Sequence, residues 1–380
     1  TTVAALAQAE SRGRVRTFTI GLPMESFDEA KAAAAVARHL GTDHTELTVT
    51  AEDALAAVPS VASAYDEPFA DSSQLPTYLV CKLARRQVTV CLSGDGGDES
   101  FAGYNRHLWG GAAARVAETL PSGLRGWLGD ALTNLPPGVI DRGAGIVEPL
   151  LPKRLRVRGL GDKLNKLGRA LAEPNAMYRA LVSHWPDPER LVAVPEPRTV
   201  LDRPDEWPAL RTSAERAMYL DTITYLPDDI LTKVDRASMA VSLEAREPLL
   251  DHRLVEFAWR LPHDMKVRGG VGKWPLRQVL FRHVPPALVD RPKWGFAIPV
   301  AQWLRTSLRG WAEDLLSDAS LRDDGLLRPE PIRAHWQAFL AGGNDFNDRL
   351  WTVLMLQSWK RQQRPTPASR PVLDRRSTGR

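Results

Sequence analysis

The residues best suited to chemistry lie in the segment Ser93 to Glu99, which reads Ser-Gly-Asp-Gly-Gly-Asp-Glu directly after the apolar run Val88-Thr-Val-Cys-Leu92. Glycines let a backbone come close to a ligand and present successive amide N–H groups to it. Asp95, Asp98 and Glu99 add hard oxygens of the kind that Mg²⁺ prefers. A loop holding a nucleotide and a metal ion accounts for both features. A tight acidic turn closed by a glycine cap accounts for the same residues structurally.

Further along, Gly269-Gly270-Val271-Gly272-Lys273-Trp274 delivers a lysine to a helix start through a glycine loop. That arrangement suits charge on phosphate, and also many exposed turns. Between the two, Tyr225 to Leu250 is crowded with Asp228, Asp229, Lys233, Asp235, Arg236, Glu244 and Arg246. These form either surface ion pairs or a polar wall for a zwitterionic substrate, with Glu244 and Arg246 as its candidates. Asp66-Glu-Pro-Phe-Ala-Asp71 is another acidic stretch, read as wall of the same site, and Ser72 or Ser73 is placed to cap the next helix. The basic, aromatic turn Arg291 to Phe296 reads as a packed loop. No Ser-His-Asp, Cys-His or His-Glu-x-x-His pattern is present, so hydrolysis by a protein nucleophile is disfavoured.

The elements that must position these groups alternate between strand and helix over the first hundred residues. Arg14–Ile20, His44–Val49 and Val88–Leu92 read as strands; Asp28–Leu40, Glu52–Ala64 and Pro76–Gln87 read as helices. This is a parallel α/β pattern, and it puts the glycine-acid loop at the carboxyl end of a strand, where open sheets bind ligands. Thr1 to Glu10 looks like a helix already under way. From about Trp109 the strand pattern gives way to helical periodicity, with an irregular loop at Pro195–Trp207. The expected organisation is an α/β nucleotide-binding part over residues 1–108, a mostly helical part over 109–363, and a disordered tail over 364–380.

The chain has 380 residues, enough for two domains, and a formal net charge of +4 with acids and bases intermixed. That permits an anionic small substrate and does not call for nucleic acid. No run of 18 apolar residues points to a membrane. Two cysteines, Cys81 and Cys91, are too few for a disulfide framework and fit a reduced cytoplasm.

Taken in order, Thr17-Phe-Thr-Ile-Gly21, Leu40-Gly-Thr-Asp-His44, Asp66-Glu-Pro-Phe-Ala-Asp71, Leu92 to Tyr104, Leu226-Pro-Asp-Asp-Ile-Leu231, Asp235-Arg-Ala-Ser-Met-Ala240, Ser242-Leu-Glu-Ala-Arg246, Gly272-Lys273 and Arg291 to Phe296 resemble the synthetase domain of the glutamine-dependent asparagine synthetases. The likeness runs from about Val15 to Trp359. It implies an adenine-nucleotide α-hydrolase-like fold of the ATP-pyrophosphatase type, with ATP and Mg²⁺ as cofactors. It implies an enzyme that adenylates the side-chain carboxylate of aspartate, releases pyrophosphate, and lets ammonia, drawn from glutamine, displace AMP.

By the same resemblance Ile20 and Gly21 would meet the adenine, and Ser93 and Gly94 would hold the nucleotide. Asp95 would support the aspartyl-AMP intermediate, Asp98 would bind Mg²⁺, and Lys273 would neutralise phosphate charge. A homodimer is compatible with it. The family's Ser-Gly-Gly-x-Asp-Ser pyrophosphate loop and its glutaminase domain would lie ahead of Thr1, so these residues are expected to be part of a longer synthetase and inactive alone. Relatives that share the nucleotide half amidate other carboxylates, such as a sugar acid or a β-amino acid closing to a lactam. A non-catalytic remnant is the reading of a different class.

Overall fold

The computed structural model describes residues 1–21, 29–108, 121–134, 164, 168, 177–185, 187–290, 298–323, 325–342 and 347–363. The Arg291 to Phe296 turn and the 364–380 tail lie outside them. Helix α1 (Thr2–Glu10) is the expected first helix, with Ala5 buried against Val36, Leu280 and Val284. Strand β1 (Arg16–Gly21) pairs in parallel with β2 (Asp43–Thr48), Ile20 opposite Leu47 and Gly21 opposite Thr48. Helix α2 (Glu29–Leu40) makes the crossover between them and ends at Gly41, whose φ of 71° is the left-handed conformation that glycine takes most easily.

Helix α3 (Ala51–Ala64) starts at a reciprocal cap: the Asp53 N–H donates to the Thr50 hydroxyl oxygen at 3.2 Å, and the Thr50 N–H donates to the Asp53 carboxylate at 2.9 Å. Helix α4 (Gln74–Arg85) begins two residues before the expected Pro76, because the turn Asp71–Ser73 already directs the chain into the helix. Pro76 then falls in the first turn, where its missing N–H costs nothing. Almost every position of α4 is buried, between α3, β1 and the helix Thr232–Met239. Lys82 and Arg85 make up the narrow exposed stripe that remains.

Strand β3 (Val90–Leu92) does not extend the first sheet. It pairs in parallel with β4 (Glu244–Arg246), Val90 opposite Glu244 and Leu92 opposite Arg246. This corrects the expectation that strands end before Trp109. Three residues with charge at both ends carry no β-branched or aromatic signal, so β4 is invisible to sequence pattern. It is placed from outside by the turn ahead of it, where Ser242 adopts φ 59° and Leu243 is fully buried against Cys81 and Ala84. The described residues thus hold two two-stranded parallel sheets, and β3–β4 joins early chain to late chain.

The main core lies between α3, α4 and the last helices. Leu304, Leu308, Leu315, Phe339, Trp351 and Leu354 pack with Val58, Val61 and Leu75, all nearly inaccessible. Each such side chain contributes roughly 1.5–3 kcal/mol of transfer free energy. The same cover fixes the acidic stretch: Trp359 donates its indole N–H to the Tyr65 carbonyl at 3.0 Å, and Tyr65 stacks on Phe69 at 4.6 Å between centroids. Pro195–Trp207, expected to be irregular, carries two short 3₁₀ turns, Val200–Asp202 and Pro204–Glu206. No helix among the described residues is long and apolar enough to cross a membrane.

Candidate active site

The loop after β3 is fastened where the strand ends, since the Ser93 N–H donates to the Arg246 carbonyl at 2.9 Å. Its glycines divide the labour. A Cβ at Gly96, which sits at φ 83°, would fall 2.1 Å from Leu250, and one at Gly97 would fall 2.8 Å from Leu249. Those two glycines seat the loop on the protein. Gly94 has open space around it, and Ser93 and Asp95 remain partly exposed on the same edge. Helix α5 (Gly97–Ser100) then carries Asp98 at the surface and Glu99 inward.

Beyond α5 the chain turns at Phe101–Gly103, with Ala102 at φ 59°. The Lys273 N–H donates to the Phe101 carbonyl at 2.9 Å, and Lys273 itself adopts φ 55°. A Cβ on Gly272 would lie 2.0 Å from the Ala102 carbonyl oxygen, so only glycine permits this approach. Two left-handed residues other than glycine, meeting at one junction, cost of order 1–3 kcal/mol each. What the strained junction achieves is a convergence: Lys273 Nζ lies 3.0 Å from Asp98 Oδ1, the two side chains 31% and 21% exposed. Gly103 leaves room for that carboxylate, since its Cβ would sit 1.9 Å from Asp98 Oδ1.

Inward of this pair runs a buried polar chamber between α5 and the π-helix Asp221–Leu231, which pack together. The Tyr104 hydroxyl donates to Glu99 Oε1 at 2.6 Å, and burial raises the Glu99 carboxyl above its ordinary range. The Arg106 guanidinium lies over the rings of Tyr104 and Tyr225, 4.1 and 4.6 Å from their centroids. Fully buried Asp221 anchors it, accepting from Arg106 Nε at 2.7 Å and from the Tyr178 hydroxyl at 2.6 Å, with His107 Nε2 at 2.5 Å. Burial alone would raise Asp221; the bonds from His107 and Arg106 overcome it and hold the carboxyl below its ordinary value.

Eight residues further along the π-helix, Asp229 shares its surroundings with Asp71 and Lys233. Lys233 Nζ lies 2.7 Å from Asp71 Oδ2, and the Ser73 hydroxyl, instead of capping α4, donates to the same oxygen at 2.6 Å. Burial pushes Asp71 up, but Lys233 and Ser73 outweigh it and hold that carboxyl low. Asp229 goes the other way, up to about 7, through burial first and the charge of Asp71 second. Four buried side-chain atoms among the described residues of this chamber lack a hydrogen-bond partner: Glu99 Oε2, Arg106 Nη2, His107 Nδ1 and Asp229 Oδ1. An unmet cation and two unmet acid oxygens are the complement of a ligand bearing both carboxylate and ammonium.

No group of three His, Cys, Asp or Glu side chains among the described residues forms a metal cage. Mg²⁺ needs none when it binds through one or two carboxylates and the oxygens of phosphates. Asp98, a hard-oxygen donor held at the partly exposed mouth beside Lys273, suits that mode.

The family model described as asparagine synthase matches residues 1–361. The chain belongs to the asparagine synthase family. It is 28% identical over 346 residues to asparagine synthetase [glutamine-hydrolyzing] 1 of Bacillus subtilis, covering 91% of this chain and 52% of that protein. It is 32% identical over 360 residues to a putative asparagine synthetase [glutamine-hydrolyzing] of Mycobacterium bovis, covering 94% and 52%. With asparagine synthetase B of Escherichia coli it shares 37% identity over 95 residues, 24% of this chain and 17% of that protein. The chain spans about half the length of the first two relatives.

In this asparagine synthase-family chain the residues singled out from sequence separate into groups. Ser93, Gly94 and Asp95 line one open edge, and Asp98 and Lys273 meet beside it. Ile20 is buried in the main core, and Gly21 packs on α2, its would-be Cβ 3.0 Å from Ala30. Glu244 and Arg246 are exposed and pair with each other at 2.8 Å, bordering Ser93 through the β3–β4 ladder. Arg236 pairs with Asp66 at the surface, while Lys233 and Asp229 face inward, so the charged segment is part surface and part wall. Both cysteines are free, and burial pushes Cys81 up to about 12, so its thiol is inert. Arg106, His107, Tyr178 and Asp221 were not expected. A signal existed for the last: Asp221, Tyr225, Asp229 and Lys233 recur every four residues, which places them along one helical face.

Proposed function

We propose that this chain is the synthetase half of an ATP-dependent, amide-forming ligase with the adenine-nucleotide α-hydrolase fold. It activates the side-chain carboxylate of aspartate by adenylation, and ammonia supplied from glutamine displaces AMP to give asparagine. The observation that carries this reading is the meeting of Asp98 and Lys273 beside the glycine loop at the carboxyl end of β3. Family membership supports it independently.

In this reading Ser93, Gly94 and Asp95 border the nucleotide, and Ile20 and Gly21 end the strand that faces its base. Asp98 holds Mg²⁺, which supplies charge neutralisation on the phosphates when bound. Lys273 steadies the charge that builds on departing pyrophosphate, a role in which a preorganised cation acts without reorganising. The amino acid occupies the chamber, its carboxylate at Arg106 Nη2 and its ammonium toward Glu99 and Asp229, whose free atoms motivate the assignment. Glu244 and Arg246 stand at the outer rim, in reach of a ligand on the open face. The buried side chains of Glu99, His107 and Asp221 in the chamber limit the access of water to the activated carboxyl.

The test is pyrophosphate release from ATP by the full-length protein, with aspartate and with ammonia or glutamine supplied. Release that needs both aspartate and a nitrogen donor is expected. Release that ignores aspartate while responding to another acid in its place overturns the substrate, and no release with any acid overturns the ligase reading.

A further inference from the structure

Away from the chamber, a cavity of about 210 Å³ opens between residues 209–215 and the two helices His252–Arg260 and His263–Lys266. Arg211, Glu215, Trp259, Leu261, His263 and Lys266 line it. None of them belongs to the candidate site. Lys266 is 3% exposed, its ammonium 5.0 Å above the Trp259 ring, and no carboxylate among the described residues stands within ion-pair distance of it. The one acid in the lining is already engaged, since Glu215 accepts from the Arg211 N–H at 2.9 Å and from its guanidinium at 3.3 Å. Nδ1 of His263 is buried and also lacks a partner.

A buried ammonium without a counter-ion is costly, and a protein that keeps one either discharges it or supplies an anion. Burial pushes Lys266 down to about 8, against a weaker opposing pull from Glu215, so at neutral pH it still carries most of its charge. We propose that this cavity binds a small monocarboxylate with an apolar body, the carboxylate on Lys266 and His263 Nδ1 and the body against Trp259 and Leu261. Two features select that class. The wall beside Lys266 and His263 is aromatic and aliphatic, which suits carbon better than a hydrated inorganic ion. Glu215 adds a negative charge near Lys266, which penalises a dianion such as phosphate more than a monoanion.

The probes are benzoate and inorganic phosphate, titrated calorimetrically into the full-length protein. Benzoate is expected to fill one site per chain, about tenfold tighter than phosphate, and Lys266→Met to weaken it about tenfold. Because that variant leaves a partly polar cavity and can fold poorly, a second measurement uses the unmodified protein. Acetic anhydride labelling followed by peptide mass spectrometry should show Lys266 acetylated about fivefold more slowly when benzoate is bound, other lysines being unchanged. Labelling of Lys266 that benzoate does not slow, or benzoate binding that survives Lys266→Met, overturns the site. Phosphate binding as tightly as benzoate overturns the ligand class.

Discussion

Two lysine–aspartate pairs flank the polar chamber, and they are built in opposite ways. Lys233 and Asp71 meet at 2.7 Å where the helix Thr232–Met239 packs on the turn that leads into α4, with Ser73 holding the same carboxylate and a second acid, Asp229, alongside. Lys273 and Asp98 meet at 3.0 Å on two strained turns, at a junction that only Gly272 and Gly103 make possible. The first pair is locked by its surroundings and balances buried charge. The second stands at a mouth, on backbone in the left-handed region, where an incoming phosphate and its metal can exchange for the ion pair. Identical side-chain types therefore serve structure in one place and ligand in the other; the two aspartates are about equally exposed, and the deeper burial of Lys233 and the backbone strain at Lys273 make the difference.

The contrast breaks most visibly at Lys233. Replacing it by methionine leaves Asp71 and Asp229 together without a cation, and because Lys233 is buried while Asp71 keeps 23% exposure the cost should be about 1–3 kcal/mol. The unfolding midpoint in urea should fall accordingly, and should recover part of that loss as pH is lowered and the acids take up protons. A midpoint within about 1 kcal/mol of the unchanged protein would mean that the chamber is wet and the pair merely superficial.

Lys273→Ala should do the reverse. Stability should change by less than about 1 kcal/mol, because both partners are partly exposed. Turnover in the pyrophosphate assay should fall about 10²-fold, the usual loss for one preorganised charge at a transition state. Asp98→Asn should likewise spare the fold while raising the Mg²⁺ concentration needed for half-maximal rate. A large stability loss from either would assign this pair to structure and erase the distinction.

A pH series sharpens the locked side. Asp229 is held near 7, above an unfolded carboxyl near 4, so between those values the folded chain binds more protons than the unfolded one. Its contribution therefore makes stability decline as pH rises from about 4 to about 7, with no further slope above. Asp71, held low, acts oppositely: what it contributes is present above about pH 4 and is lost as pH falls below. Asp229→Asn should flatten the decline by ~2 kcal/mol between pH 5 and pH 7 while leaving the acid limb in place. An unchanged slope would mean that Asp229 does not share the charge of Asp71 and Lys233.

How far the sequence reveals this design depends on the range over which each cause acts. The seven residues from Ser93 to Glu99, the helices that end at Gly41 or start at Thr50, and the strand before the loop rest on local chemistry, and all are legible. The partner of β3 is not, since Glu244–Arg246 becomes a strand only because Leu243 is buried elsewhere and the chain is carried past Val90. Nor is the sorting of the charged segment, where Arg236 faces solvent and Lys233, three residues before it, faces Asp71 from 162 positions away. Arg106 is readable as a basic residue and nothing more until Asp221 and the two tyrosines surround it.

The smallest expected effect tests the open edge against its seated neighbour. Gly94→Ala places a methyl group in free space at a backbone conformation that needs no glycine, so stability should stay within about 0.5 kcal/mol. If the edge holds a nucleotide, that methyl group still stands where a phosphate must approach the amides, and KM for ATP should rise severalfold with kcat nearly kept. Gly103→Ala is the control, because its methyl group would land 1.9 Å from Asp98 and must displace the carboxylate, lowering kcat as well. Should Gly94→Ala leave KM unchanged, the ligand does not touch this edge, and the division between glycines that seat the loop and a glycine that admits a nucleotide fails with it.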